Sequence, residues 1–554
     1  MKPLRAMIPL LGGIMISLGS LSANEAADQL RAFLKQYQQE YHRMYCDISY
    51  SWWEAAVTGS EEAFAKSSEA QLALSTYHAD AEKFRQLRQL IDQAEGLTDL
   101  EKREAHEAYR AFEQSQFPPE LMKKMIDLSS EIEQIFQTQR ATLDGEQYTN
   151  NELLEMLEKE NDSQRRYEIW CALKQVGPLV APKLVELAKV RNEAAHALGY
   201  KNYWEMSVSF QDYDPAELTK IFDELITATD DIYAKVKGEL DEELKTRFGV
   251  DEIKPWHYDN PFFQQAPPSC EIDPNVFYEG KTKEDIVAMA TAYYDSIGLE
   301  TRTILANSDL FEKPGKSQHG FCNNMNLEGD VRILCNIKPT AEWQDTQLHE
   351  LGHSVYDLNV DQTLPYNLRG PAHIFTTEGI AMMFGALARD PDWLVTYAGV
   401  DREKADAAAK ALRRQRLREQ LIFCRFTIVM FQVERALYEN PDADISALWW
   451  DKADQIQKMP CPERSAEPDW ASKPHFVIAP VYYHNYMLGE LFASQLRQTI
   501  LKGLAINDPK IGALLTERVF APGDRYNWKE FVRRATGEEF SPKAFAYELE
   551  KEAQ

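Results

Sequence analysis

The sequence predicts a mainly α protein: two large helical lobes closing on a deep central cleft, with a small β-hairpin beside the helix that carries the chain's most informative motif. Three observations point there. From residue 26 to about residue 247, apolar positions recur at helical spacing between charged faces, with few strand signals. The clear later strand signal is residues 331–337, read as a buried or edge strand after an Asn-Leu-Glu-Gly-Asp turn. No repeats, low-complexity tracts or flexible linkers divide the 554 residues. The chain exceeds a usual single core, and two halves sharing a cleft fit better than independent domains.

In chain order, residues 1–23 read as a secretory leader: Lys2 and Arg5, an apolar run over residues 7–18, then Ser-Leu-Ser-Ala before Asn24. The apolar run is short for a membrane span and contains Gly12 and Gly13. The expectation is an exported protein, periplasmic or secreted, with no membrane anchor and one folded unit over residues 24–554. Helix stops are expected at Gly59, Gly96, Pro118-Pro119, Gly177-Pro178 and Gly249. Residues 255–274, rich in Pro and aromatics, read as an ordered loop. Helices resume near Lys281. The hairpin follows, then the motif helix capped by Thr340, a second helix containing Glu378, and a long helix around residues 404–439. A Pro-rich loop over residues 459–480 leads to a last helical section.

The formal charge is −27, from 61 Lys and Arg against 88 Asp and Glu. Such acidity argues against nucleic acid and anionic membrane surfaces as partners. With 25 Phe, 25 Tyr and 11 Trp, a large core is available. Seven Cys in a chain this long do not make a disulfide scaffold. Cys322 and Cys335 flank the hairpin and form the best candidate pair, the alternative being two buried thiols.

The motif is His349-Glu350-Leu351-Gly352-His353. On a helix, positions i and i+4 lie one turn apart on one face, so both imidazoles reach the same metal. The Glu beside the first His stands where a carboxylate can take a proton from a metal-held water. This is the zinc-hydrolase pattern H-E-x-x-H. A catalytic zinc takes three protein ligands and keeps one position for water. Glu378, in the first turn of an otherwise apolar helix, is the candidate third ligand, because such a carboxylate is costly to bury without a cation. The expected cofactor is therefore one Zn2+ held by His349, His353 and Glu378, with Glu350 as general base. Asp357 either orients a ligand imidazole or is an ordinary helix-end Asp.

These residues resemble the angiotensin-converting enzyme family of zinc peptidyl-dipeptidases. Asp330-Val-Arg-Ile-Leu-Cys335 looks like the family's Asp-Phe-Arg-Ile with a following Cys. Tyr356 and Pro365-Tyr-Asn-Leu-Arg369 match further family positions, and Asn192-Glu-Ala194 and Tyr203-Trp204 extend the likeness weakly into the N-terminal half. The resemblance covers most of the chain and is most specific around the zinc motif. It implies an enzyme acting on oligopeptides. Lys473 and Tyr483 would bind the substrate's C-terminal carboxylate, with Gln265 as a further carboxylate ligand, and Tyr486 with His475 would stabilise the oxyanion. His319 would contact the substrate backbone, and the strand around Val331 would pair with it. A carboxylate held two residues beyond the zinc makes the product a dipeptide.

The chain also departs from the family. Asn485, Glu205 and Ala453 stand where family arginines support chloride binding, so little or no chloride activation is expected. Thr377-Glu378-Gly379 replaces His-Glu-Ala, and Met382 replaces an Asp one turn later. The interval from His353 to Glu378 is one residue longer, closer to thimet-type oligopeptidases. The rival readings are thus a thimet-type endo-oligopeptidase and a non-catalytic peptide-binding protein. Retention of Glu350 and the three ligands argues against the second.

Overall fold

The computed structural model describes residues 22–268 and 271–553. Most of the predicted leader, and Cys270, lie outside the described residues. Ser22 caps a first helix, Ala23–Thr58, through a reciprocal pair with Glu25. The described chain is mainly helical, with two small antiparallel hairpins, Ala141–Leu143 with Glu146–Tyr148 and Phe321–Asn324 with Val331–Leu334. No described helix is long and apolar enough to cross a membrane.

Local chemistry explains most boundaries. Gly59 and Gly249 end their helices in the left-handed region, where a Cβ would clash with the following backbone. Pro118-Pro119 and Gly177-Pro178 do the opposite of what was expected: they begin the helices Pro119–Thr138 and Gly177–Ala197. Proline lacks an N–H, and the first turn of a helix has no intrahelical partner for one, so the residue that breaks a helix interior suits its start. Thr340 caps the motif helix, Ala341–Leu358, by accepting from the Trp343 N–H. The long helix runs Arg402–Glu439.

One buried apolar cluster draws residues from Leu128 to Leu549, so both halves of the chain contribute to it. A separate small cluster, with Leu30, Tyr37, Leu87 and Phe112 at its centre, holds the first helices together. These pack over the second hairpin: Tyr45 donates to the Asn324 carbonyl, Tyr50 to Asp330, and Trp52 lies 4.4 Å from the Phe321 ring.

The hairpin corrects two expectations. Cys322 pairs across from Ile333, so Cys335 lies beyond the register, and both are free thiols. All six described cysteines are free. The strand around Val331 is the inner strand, since Asp309 bridges its far side while the residue 321–324 strand occupies the other. A period-two pattern identifies a buried strand without telling which neighbour is outermost. Gly320 directly precedes the outer strand, and a Cβ there would sit 3.7 Å from a Glu350 carboxylate oxygen.

Candidate metal centre and active site

Three helices meet at the centre of the site: Ala341–Leu358 with the motif, Ile374–Gly385 with Glu378, and His484–Gln498 with Tyr486. Small residues allow the approach. A Cβ on Gly352 would stand 2.8 Å from the Ala381 backbone, and one on Gly379 would stand 2.6 Å from the Gly489 carbonyl oxygen. Tyr356 ties the first two helices: its hydroxyl lies 3.3 Å from Thr376 Oγ1 and accepts from the Ala372 N–H.

His349 and His353 face each other with their Nε2 atoms 3.2 Å apart, and a Glu378 oxygen lies 3.9 Å from each. Donors at about 2.0–2.1 Å from a tetrahedral ion sit roughly 3.3 Å from one another, so the three donors match a zinc-sized cation. Burial depresses both imidazoles, His349 to about 4 and His353 well below its ordinary value, so both are neutral nitrogen donors. His353 Nδ1 is 2.6 Å from Thr377 Oγ1, which fixes the ring and turns Nε2 inward. Burial raises the Glu378 carboxyl to about 7 while the Tyr482 hydroxyl donates to it and lowers it. Burial first, then the Glu378 charge, raises Glu350 to about 8, opposed by the Cys322 N–H. Two desolvated carboxylates beside two neutral imidazoles make a set that a cation would stabilise. The donor set fits zinc.

Of the two readings of Asp357, the orienting one gains no support: burial raises its carboxyl to about 7, and the hydroxyl of Thr377 is what meets His353 Nδ1.

A second group of residues runs from Lys473 to the metal centre. Lys473 is 5% exposed, and its ammonium lies over the rings of Phe426, Tyr483 and Phe262 at 5.1, 5.3 and 5.5 Å. Burial lowers it to about 7. Its hydrogen-bond partner is the side-chain oxygen of Gln264. Gln265 is exposed and bonds to Asn260, so the amide at this place is one residue earlier than expected. Phe263 adopts φ +50° and reverses the chain locally, which an ungapped count from His257 does not register. His475 packs 5.0 Å from Tyr483, and Tyr483 5.4 Å from Tyr486. The His475 Nδ1 is buried without a partner. Tyr486 is half-buried, its hydroxyl raised by burial and then by Glu378. His319 is exposed at the start of the outer hairpin strand, next to Gly320.

Gln264, Thr377 and Tyr482 escaped the sequence reading. Thr377 and Tyr482 adjoin residues that were chosen, and for Thr377 a hydroxyl next to the metal ligand Glu378 is the signal that singles it out. A cavity of about 280 Å³ reaches His349 past Met382 and Phe423, and a neighbouring one of about 420 Å³ reaches Gln264; Arg389, Glu419 and Phe423 line both.

A family model described as angiotensin-converting enzyme matches residues 24–538. Carboxypeptidase 1 of Bacillus subtilis (strain 168) is 24% identical over 261 residues, 40% of this chain, and the match spans half of that relative's length. The metal donors, the capped motif helix and the match over nearly the whole chain agree, and the chain belongs to the angiotensin-converting enzyme family of zinc-dependent metallopeptidases.

Proposed function

We propose that this protein is an exported zinc peptidyl-dipeptidase that removes dipeptides from the free C-terminus of oligopeptides. The observation that carries the reading is Lys473: a buried ammonium surrounded by aromatic rings and one amide, with no carboxylate paired to it among the described residues. A buried cation without a counter-ion is costly, and a substrate carboxylate supplies the missing charge. Gln264 and Tyr483 border the same position and add a donor amide and a phenol.

Zinc bound by His349, His353 and Glu378 would polarise the scissile carbonyl and lower the pKa of a water towards about 7. Glu350, buried beside the outer hairpin strand, takes the proton of the attacking water and returns it to the leaving amine. Tyr486 and His475 face the developing oxyanion as hydrogen-bond donors. The outer strand from Phe321 aligns the substrate backbone in a side-chain-tolerant way; Gly320 and His319, just before it, extend that contact. Tyr482 and Thr377 hold Glu378 and His353 in place.

Chloride activation is absent in this reading. Asn485, fully buried, donates to Gln211 and the Tyr482 carbonyl and accepts from Tyr213, so its amide is committed to protein partners. Ala453 is buried and uncharged, and Glu205 is anionic. Export is supported by the leader pattern of residues 1–23.

The name of the Bacillus relative supports a second register, loss of single C-terminal residues. The longer interval to Glu378 supports a third, internal cleavage. Mass spectrometry of a decapeptide digest separates them. We expect sequential loss of dipeptides from the free acid, abolished by a chelator and restored by zinc. A ladder of single residues, or equal internal cleavage of the C-terminal amide, would overturn the dipeptidase reading.

A further inference from the structure

Away from the metal centre, a cavity of about 1020 Å³ opens between the long helix Arg402–Glu439, the helix Pro215–Phe248 and the last helix, Lys543–Glu552. Its lining inverts the charge of the molecule. In a chain of net charge −27, eight of the fifteen lining residues are Lys or Arg and three are Glu. Some of these cations are paired: Arg414 and Arg418 share Glu243 at 2.6 Å, and Arg497 holds Glu548 at 2.8 Å. Lys235, Lys410, Arg413 and Lys551 have no carboxylate within ion-pair distance among the described residues, Lys235 reaching only the Ala553 carbonyl at 3.5 Å. Arg418, 4% exposed, lines the same cavity with its Nε unpartnered.

Converging cations repel one another, and the buried Arg418 Nε has no acceptor, so an anion of several charges is favoured at this place. Guanidinium forks match phosphoryl oxygens in pairs. No aromatic ring lines the cavity, so nothing stacks on a base, and only Val236, Leu417 and Ala553 among its lining residues are apolar. A compact oligophosphate satisfies these terms.

Arg413 and Arg416 line this cavity and the cavity that reaches His349, on two faces of one helix. We propose that the cavity is a binding site for a polyvalent oligophosphate anion, and that its occupancy reaches the metal-side pocket through these two arginines. An anion that draws the guanidiniums towards itself removes positive charge from the pocket beside the metal.

The test is calorimetric titration of the zinc-loaded full chain with inorganic tripolyphosphate at 0.1 M NaCl (roughly physiological screening), paired with KM for an oligopeptide with and without the anion. The expected result is one saturable site per chain, weakened about tenfold or more in Lys410→Glu/Lys551→Glu. Both lysines are exposed and remote from the metal donors, so the double variant keeps its basal activity. KM should change at least about twofold at saturation in the parent and stay fixed in the double variant. Absence of saturable binding, binding unchanged in the double variant (as simple chelation of the metal would give), or an unmoved KM would each overturn the proposal.

Discussion

Lys473 carries the most consequential physical tension in the molecule. Desolvation lowers its ammonium to about 7 from an ordinary value near 10.5, so the free enzyme loses this positive charge as pH rises through neutrality. In the proposed function, the charged form is the one that would receive a carboxylate. For substrates with a free C-terminus, kcat/KM should therefore fall above about pH 7, and this limb should be missing for C-terminal amides, whose cleavage does not use the charge. Comparing the two pH profiles isolates Lys473 from the titration of the metal centre, which both substrates share. Coincident profiles would remove Lys473 from carboxylate recognition. The same sign governs stability. Because the folded value lies below the unfolded one, the cost of burying the charge is fully present below about pH 7 and fades as pH rises towards 10.5.

At the scale of elements, the site exists because three helices approach to backbone contact through Gly352, Gly379 and Gly489. Gly379→Ala would push a Cβ against the Gly489 carbonyl oxygen at 2.6 Å and displace the helix that presents Glu378. The expected outcome is a loss of about 10- to 100-fold in zinc affinity, measured by competition with a chromophoric chelator, a range like that of disturbed ligand support elsewhere. Unchanged affinity would mean that the contact relaxes without moving Glu378. Such close approaches explain what the sequence could and could not show. The motif helix, its Thr340 cap, Glu378 and the long helix were legible because spacing and capping are local. The one-residue shift from Gln265 to Gln264 depends on the left-handed Phe263, and the outer position of the Phe321–Asn324 strand depends on Asp309 pairing with its neighbour. Cys322 and Cys335 are close in sequence to one hairpin, yet register keeps them from facing each other. Pro119 and Gly177 were read as stops because composition marks a boundary without saying which side the helix lies on.

At the scale of the whole molecule, the first helices form a layer with its own small core, fastened to the remainder by apolar packing of Trp53 and Ala56 on Met325 and Leu334 and by polar contacts. Arg103 is the chief fastening. Its guanidinium, 10% exposed, meets Glu107 at 2.9 Å, Asp212 at 3.1 Å and Asp524 at 2.6 Å. Removing one member of a buried ionic cluster leaves the others uncompensated, at a cost of about 3–5 kcal/mol. Arg103→Ala should speed amide hydrogen exchange in residues 81–113 while protection across the motif helix is retained. Uniform deprotection of both regions would show that the layer and the large core unfold as one unit. The large core draws on both halves of the chain and includes Tyr483, whose ring lies between Lys473 and Tyr486.

In the proposed function, a substrate carboxylate held at Lys473 sets where the metal centre cuts, and one ratio tests this most directly: kcat/KM for a free-acid peptide over that for its C-terminal amide, in the parent and in Lys473→Met. Losing a buried charged contact to substrate costs about 2–5 kcal/mol, on the order of 30- to several-thousand-fold. The account predicts a parent ratio of that order that collapses to about one in Lys473→Met, with cleavage of the amide hardly altered. A parent ratio near one, or a ratio that survives the substitution, would contradict it.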